Sequence, residues 1–180
     1  MRAYLWTIEN ADKLNVDKNR IAIAGDSAGG NLTASVALMA RDRKAPLPLF
    51  QMMIYPVTDR RMITESMKSF RDTPMWNGKL SVGMWKAYLG DVNHEHIEYA
   101  SPIEADSLAG LPNAYMETAE FDCLRDEGIE YGRKLEADGV KVHFYHTNGT
   151  MHAFDSVRSA PTTKAAITER VEYIKNKFNT

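Results

Sequence analysis

A short apolar run leads directly into a glycine-rich turn in the segment Ile21-Ala22-Ile23-Ala24-Gly25-Asp26-Ser27-Ala28-Gly29-Gly30. The run Ile21–Ala24 predicts a strand that is buried on both faces, because continuously apolar strands are typical of parallel sheets. A helix is predicted next, at about residues 30–41, with a buried face made of Leu32, Val36 and Met39. A strand, a turn and a helix in this order are typical of α/β proteins.

Strands and helices continue to alternate on both sides of this segment. The apolar pattern predicts three more strands, at residues 50–55, 113–118 and 140–145. It also predicts helices at residues 3–14, 79–89 and 125–138, the last of them ended by Gly139. In a final helix, helical spacing relates Ile167, Val171, Ile174 and Phe178, and the N-cap would be Thr162 or Thr163. We therefore expect one α/β domain over residues 1–180, built on a parallel sheet with helices on both faces.

The loops that follow the predicted strands are the expected positions of catalytic or binding residues. In open parallel sheets, functional groups collect at the carboxyl ends of the strands. The predicted order brings four loops to that edge, at residues 25–30, 56–60, 119–124 and 147–153.

The first of these loops carries Ser27 in the pattern Gly-x-Ser-x-Gly. A serine on a sharp turn between a strand and a helix needs small neighbours, and Gly25 and Gly29 provide the room. The N-terminus of the following helix would favour negative charge that develops beside the serine. Ser27 is therefore a candidate nucleophile. The alternative is a glycine-rich turn that only packs a strand against a helix.

A serine is a weak nucleophile until a base, usually a histidine, removes its proton. His152 is the candidate base, because it lies in the loop that directly follows the fourth predicted strand. His143 and His146 lie in that strand or at its end, and His143 is better explained as a packed or edge residue. His94 and His96 lie in a charged stretch where we expect them to be solvated, and a His-x-His pair is too little for a zinc site.

The base needs a carboxylate to orient it, and four acids follow the third predicted strand: Glu120, Asp122, Asp126 and Glu127. Asp126 and Glu127 fall in the first turn of a helix, where the helix dipole favours acids without any function. Asp122 precedes that helix at the carboxyl end of the strand. It is the candidate orienting acid, although it could also be only an N-cap.

Composition excludes several other classes of function. The net charge of −2 gives no reason to expect binding to nucleic acid or to an anionic membrane surface. No apolar run approaches the roughly 20 residues of a membrane span. The single cysteine, Cys123, cannot form an internal disulfide, which fits a reducing compartment. We therefore expect a cytoplasmic location.

The sequence resembles the hormone-sensitive-lipase-like family of bacterial carboxylesterases, which includes acetyl esterases. Three stretches carry the likeness: residues 20–32 around Ser27, the pair Tyr99-Ala100-Ser101-Pro102 and Leu111-Pro112, and residues 119–128 continuing to Gly149 and His152. The order of Ser27, Asp122 and His152 along the chain also matches that of α/β-hydrolases. The resemblance implies an α/β-hydrolase fold and a serine carboxylesterase that hydrolyses short-chain acyl esters.

The resemblance also assigns roles to particular residues. The family's acid precedes its Leu-Arg-Asp-Glu-Gly run by two positions, which is Asp122 here. Its base lies in a His-Gly-Phe motif, which reads His152-Ala153-Phe154 in this chain, so alanine replaces the family's glycine. The N–H of Ala28 would be one oxyanion donor. No metal or organic cofactor is implied.

The stretch at about residues 59–98 resembles the family's cap-like or pocket-lining insertion. Methionines and aromatic residues lie there among charges, and Trp76, Trp85 and Tyr88 are the candidate pocket residues. The alternative for each is ordinary packing in the core and cap.

The chain also departs from the family pattern. The family carries a His-Gly-Gly oxyanion loop well before its nucleophile, whereas 26 residues precede Ser27 here and no His-Gly pair occurs. We therefore expect Met1 to be an internal start, with the first half of the sheet, the oxyanion loop and much of the cap missing, and any signal peptide upstream. The chain alone should then be a slow catalyst.

The missing half would leave the strand at Ile21–Ala24 with a free edge. We expect two copies to pair or exchange elements across it as a homodimer; the alternatives are that the N-terminal portion is supplied as a separate chain or that the N-terminal helix rearranges to cover the edge. A different class of function also stays open. Some members of the superfamily lack activity and bind a small molecule or a protein, and the chain could also be an inactive fragment. The presence of all three candidate residues argues against both of these alternatives.

Overall fold

The computed structural model describes residues 1–90 and 95–179. Four parallel strands form one sheet in the order β1-β2-β3-β4. The strands are β1 (Ile23–Asp26), β2 (Gln51–Ile54), β3 (Ala114–Ala119) and β4 (Val142–Thr147). Each strand pairs with the next one in the chain, so their carboxyl ends lie at one edge of the sheet, as the alternating pattern predicts. The fold is the parallel α/β architecture expected from the sequence.

Seven helices surround or flank this sheet in the described part of the chain. They are α1 (Arg2–Glu9), α2 (Ala11–Leu14), α3 (Ala28–Asp42), α4 (Glu65–Ser69), α5 (Gly78–Leu89), α6 (Arg125–Ala137) and α7 (Pro161–Phe178). Short 3₁₀ turns occupy Ile97–Tyr99, Pro102–Glu104 and Phe154–Ser156. The predicted helix at residues 3–14 is wrong as a single element, because the backbone leaves helical geometry at Asn10, between α1 and α2.

Alternate residues of the central strands pack against opposite layers of helices. Ala114 and Met116 of β3 join the core formed with α3 and α6, whereas Tyr115 points to the other face and packs with Tyr173 of α7. The side chains of β3 are buried along the whole strand. The sheet is thus covered on both sides, as is typical of parallel sheets, although its central strands also bury the polar side chains of Gln51 and Glu117.

The first strand differs from its prediction. It begins two residues later than expected, and Ala24 and Asp26 are exposed, so it is not buried on both faces. Within the described residues, β1 pairs only with β2 and forms an edge of the sheet. β4 likewise begins two residues later than predicted and forms the other edge.

The buried faces of two helices depart from the prediction. In α3, small residues such as Ala34 and Ala37 lie against the sheet, while Leu32 is 53% exposed. In α7, Ile174 and Phe178 pack against the core with Tyr173 as predicted, whereas Ile167 and Val171 are exposed. The apolar spacing predicts that a helix forms, but small or aromatic residues next to the predicted stripe make the closer contact with the sheet.

The N-cap prediction for α7 is also wrong. Ala160 is the N-cap and Pro161 occupies the first turn, where a missing N–H costs nothing. Thr163 instead donates its hydroxyl to the carbonyl of Phe154 at 3.3 Å, which attaches α7 to the segment after His152. No helix among residues 1–90 and 95–179 has the length and apolar character needed to cross a bilayer.

Candidate active site

Ser27 lies at the tip of a strained turn between β1 and α3. Its φ of 53° and ψ of −117° fall outside the regions that non-glycine residues normally occupy. Two backbone bonds hold it there: its N–H donates to the carbonyl of Ile54 at 2.8 Å, and its own carbonyl accepts from the N–H of Val57 at 3.2 Å. The turn therefore presents the hydroxyl at the carboxyl edge of the sheet.

Close backbone contacts explain two of the neighbouring glycines. A Cβ added at Gly25 would lie 2.3 Å from the carbonyl carbon of Gly29, and one at Gly30 would lie 2.7 Å from Cβ of Pro56. A Cβ at Gly29 would meet only the Asp26 carboxylate, at 3.7 Å. The turn thus needs glycine at positions 25 and 30, whereas the expected steric need at position 29 is not seen in this structure.

The structure brings Ser27, His152 and Asp122 into one hydrogen-bonded chain. His152 Nε2 lies 2.9 Å from Ser27 Oγ, and His152 Nδ1 lies 2.7 Å from Asp122 Oδ2. Because a carboxylate only accepts, Nδ1 carries the hydrogen and Nε2 is free to accept the serine proton. His152 is 6% and Asp122 is 1% exposed, so both groups are shielded from water.

The loops that carry His152 and Asp122 are fastened to each other. The Phe121 N–H donates to the carbonyl of Thr150 at 2.8 Å, and the Gly149 N–H donates to Glu120 Oε2 at 2.7 Å. Asp122 also accepts a bond from the N–H of Leu124 at 3.0 Å. These bonds fix the distance between the imidazole and the carboxylate.

The other acids considered in the sequence have structural contacts instead. Asp126 accepts from the N–H of Ser66 at 2.7 Å and from Arg125 at 2.8 Å. Burial alone would raise the pKa of Asp126, but these bonds outweigh it and lower that pKa. Glu127 is fully buried and accepts from the N–H groups of Thr58 and Asp59, and its burial raises its pKa well above the usual value.

The remaining described histidines lie outside the site. His143 bonds Glu169 at 2.7 Å and stacks on Tyr115, as expected for an edge residue. His146 lies 2.9 Å from the hydroxyl of Thr118. His96 pairs with Glu98, and His94 lies outside the described residues. In the part of the chain that the structure describes, no group of three or more His, Cys, Asp and Glu side chains could hold a metal ion.

An apolar cavity of about 170 Å³ adjoins Ser27. Its walls are Ala28, Asn31, Leu32, Val57, Met84, Trp85 and Tyr88. Two of the three predicted pocket residues, Trp85 and Tyr88, thus line the cavity. Trp76 does not line this cavity. Its ring centroid lies 6.3 Å from that of His152, and its Nε1 donates to Ser81 Oγ at 3.1 Å.

The backbone of Ala28 lies at the start of α3, and the residue lines this cavity. Ala28 is the first residue of α3, and the first N–H groups of a helix have no partner within it. The same helix end favours an anion through its dipole. Ala28 therefore lies beside Ser27 with a free helical donor, as an oxyanion contact requires.

Four residues near the site are not found by motif spacing. Tyr55, Glu117, Asp155 and Arg170 form a buried polar network, in which the ring of Tyr55 contacts the imidazole of His152. The bonded pairs are 15 to 100 residues apart along the chain, so no local pattern joins them. The one usable signal is the position of Tyr55 at the carboxyl end of a predicted strand.

The chain is similar to known esterases over most of its length. A family model described as alpha/beta hydrolase fold matches residues 1–156. Esterase LipI of Mycobacterium tuberculosis is 36% identical over 150 residues, which cover 83% of this chain and 47% of the relative. An arylesterase of Saccharolobus solfataricus is 37% identical over 153 residues, covering 84% and 50%.

A solved structure titled bacterial heroin esterase superposes with a TM-score of 0.93 at 37% identity, covering 99% of this chain and 58% of its own. The chain thus spans about half the length of the curated relatives it matches.

Proposed function

Because the chain belongs to the α/β-hydrolase-fold family and resembles its hormone-sensitive-lipase-like carboxylesterases, we propose that it carries the catalytic machinery of a serine carboxylesterase. The observation that carries the proposal is the chain of bonds from Ser27 through His152 to Asp122, at 2.9 and 2.7 Å. A nucleophile, a base and an orienting acid at such distances are what acyl transfer requires.

In the proposed reaction, Ser27 Oγ attacks the carbonyl carbon of an ester while His152 Nε2 takes the hydroxyl proton. The N–H of Ala28 donates to the oxyanion of the tetrahedral intermediate. His152 then returns the proton to the departing alcohol, which leaves an acyl group on Ser27. Water then gives a proton to His152 Nε2 and attacks the acyl carbon. The bond from that carbon to Ser27 Oγ breaks, the acid leaves, and His152 returns the proton to Ser27 Oγ. Asp122 stays ionised and keeps the imidazole oriented.

We propose a small apolar substituent for the substrate, of the short-chain acyl class. The cavity beside Ser27 has a volume of about 170 Å³ and is lined mainly by apolar side chains. Cavities for drug-sized ligands run from about 300 to 1,000 Å³, so this one suits a smaller group. Trp85 and Tyr88 would limit its length, which fits a pocket-lining role for residues 59–98 within a single domain over 1–180. The proposed location is the cytoplasm, where the buried thiol of Cys123 would stay reduced.

Covalent labelling with a fluorophosphonate probe tests this function in a single turnover, so a slow catalyst suffices. We expect the wild-type chain to be labelled and Ser27→Ala to remain unlabelled. The matched control is Ser159→Ala, which removes an exposed hydroxyl outside the site. A wild-type chain that folds but takes no label would favour a non-catalytic relative that binds a small molecule or a protein. Label retained in Ser27→Ala would place the nucleophile elsewhere.

Hydrolysis of a short p-nitrophenyl ester gives a second measurement. The expected loss in Ser27→Ala is large, because removal of any triad member leaves only the contribution of binding and oxyanion contacts. Activity within about tenfold of wild type would contradict the assignment of Ser27, since triad losses are on the order of 10⁴ or more.

A further inference from the structure

A buried polar network links the end of β2 to the segment after His152. The Tyr55 hydroxyl donates to Asp155 Oδ1 at 2.7 Å, and Arg170 Nη1 donates to Asp155 Oδ2 at 2.7 Å. Arg170 also binds both carboxylate oxygens of Glu117, at 2.6 and 2.8 Å. We call these four residues the Tyr55 network. They come from four separate parts of the chain, and the ring of Tyr55 brings the network into contact with the imidazole of His152.

Little water reaches this network. Tyr55 is 3% and Glu117 is 0% exposed, and the side chains of Arg170 and Asp155 are 13% and 18% exposed. Burial, followed by the bond to Asp155, raises the pKa of Tyr55, so its hydroxyl stays protonated and can only serve Asp155 as a donor. A buried ion pair often stabilises a fold no more than apolar side chains of similar volume would. In some proteins its role is instead to fix the positions of neighbouring groups.

The geometry that the network fixes includes the imidazole. The rings of Tyr55 and His152 lie edge to face, with centroids 4.8 Å apart and an interplanar angle of 62°. Asp155 is three residues beyond His152, in the 3₁₀ turn Phe154–Ser156. Between them, Ala153 holds a left-handed conformation with φ of 57°. Tyr55 therefore contacts both ends of the segment from His152 to Asp155, the imidazole through its ring and Asp155 through its hydroxyl.

We propose that Tyr55 is a positioning residue for His152, and that Asp155 and Arg170 hold its hydroxyl in place. The proposal rests on the proposed function, in which His152 takes the proton of Ser27. Without the hydroxyl bond, the Tyr55 ring and the turn at Asp155 can both move, and the imidazole loses one of its walls. A small displacement of the base is costly because proton transfer needs hydrogen-bond distance.

Tyr115 offers a matched control on the same network. Its hydroxyl donates to Glu117 Oε2 at 3.0 Å, and its side chain is fully buried. Its ring stacks on His143, not on His152. Tyr115→Phe and Tyr55→Phe thus remove the same atom, break the same kind of bond and leave a buried ring. A purely structural role predicts similar effects of the two variants on the site.

The first measurement is the rate of Ser27 labelling by a fluorophosphonate probe, followed over a range of probe concentrations. We expect Tyr55→Phe to lower the limiting rate about tenfold. The half-saturating concentration should stay unchanged, because Tyr55 is not among the residues that line the cavity in the described structure. Tyr115→Phe should stay within about twofold of wild type in both quantities.

The second measurement does not depend on activity. The His152 Nδ1–H held by Asp122 should give a far-downfield proton NMR resonance, assigned by its loss in His152→Gln. We expect this resonance to broaden through exchange with water in Tyr55→Phe and to stay sharp in Tyr115→Phe. If the wild type takes no label, the proposed function fails, and the NMR comparison still decides whether Tyr55 positions His152.

Equal effects of the two Tyr→Phe variants would overturn the proposal, as would a Tyr55→Phe protein that matches wild type in both measurements. Thermal melting shows whether each variant folds. If Tyr55→Phe does not fold, Asp155→Ala takes its place. That variant removes the acceptor of the Tyr55 hydroxyl and leaves Arg170 paired with Glu117, and the same two effects are expected.

Discussion

At the scale of single residues, the sequence predicts the residues that lie in local motifs but not the contacts that form between distant parts of the chain. Ser27, Asp122 and His152 follow from short motifs, because each occupies a loop at the carboxyl end of a predicted strand. The steric need for glycine at position 30 and the network around Tyr55 do not follow from the sequence. They depend on which atoms meet across the fold, at Pro56 and at Asp155.

The two aspartates near the start of α6 give a prediction at this scale. Asp122→Asn should lower kcat on the order of 10⁴, because an amide cannot hold the same imidazole tautomer. Asp126→Asn should cost far less, since Asp126 bonds Ser66 and Arg125 and does not touch His152. Steady-state hydrolysis of a p-nitrophenyl ester, or labelling rates for a slow chain, measures both. A larger loss in Asp126→Asn than in Asp122→Asn would refute the assignment.

At the scale of elements, apolar spacing predicts where strands and helices lie better than which side they bury. All four strands and the helices α3, α5, α6 and α7 occur where the pattern places them, within a few residues. The buried face of α3 differs from the prediction because small residues fit closely against the sheet, and in α7 only the C-terminal half of the predicted stripe, Ile174 and Phe178, packs against the core. The spacing of apolar residues does not show the shape of the sheet surface against which the helix packs.

The helix α6 is fastened to the loop after β2 through a buried carboxyl group. Glu127 Oε1 accepts from the N–H of Thr58 at 2.7 Å and of Asp59 at 3.2 Å, while Oε2 has no hydrogen-bond partner among the described residues. Burial raises the pKa of Glu127 well above its usual value. The folded protein therefore keeps this proton to higher pH than the unfolded chain does.

A pH dependence of stability follows. The free energy of unfolding should be unaffected by Glu127 below about pH 4.3, the usual pKa of Glu, and should fall as the pH rises toward the raised pKa. Glu127→Gln does not titrate and keeps an acceptor for both N–H groups. The difference between variant and wild type should grow by up to about 1.4 kcal/mol per pH unit over that range. Urea unfolding from pH 4 to 8 measures it, and a constant difference would contradict the raised pKa.

At the scale of the whole molecule, the parallel sheet and the meeting of its loops at one edge follow from the order of elements. The order of elements does not predict the apolar surface that is exposed beside β1. Leu32 is 53% and Trp6 is 54% exposed, and a groove lined by Tyr4, Ile21–Ala24 and Leu32 runs beside the strand. In the described structure β1 pairs with β2 alone, so half of its backbone groups face outward.

We expect two copies of the chain to pair across this edge, because identical edges can satisfy one another about a twofold axis. Light scattering coupled to size exclusion at low micromolar concentration should give the mass of a dimer. Ala24→Lys places a charge on the exposed side of β1 and should give a monomer. A wild-type monomer whose β1 amides exchange rapidly with solvent would show that the free edge is tolerated.

The distance along the chain between Ser27 and His152 has a consequence for how the protein is made. The two residues are 125 positions apart, and Asp122 precedes His152 by 30. A ribosome adding roughly 5–20 residues per second completes the serine turn roughly 6 to 25 seconds before it adds the histidine. During that interval the nascent chain holds a serine hydroxyl with no base to activate it. The proposed esterase chemistry would thus begin only after all four strands have been synthesised, so chains that end before His152 would not hydrolyse esters near the ribosome.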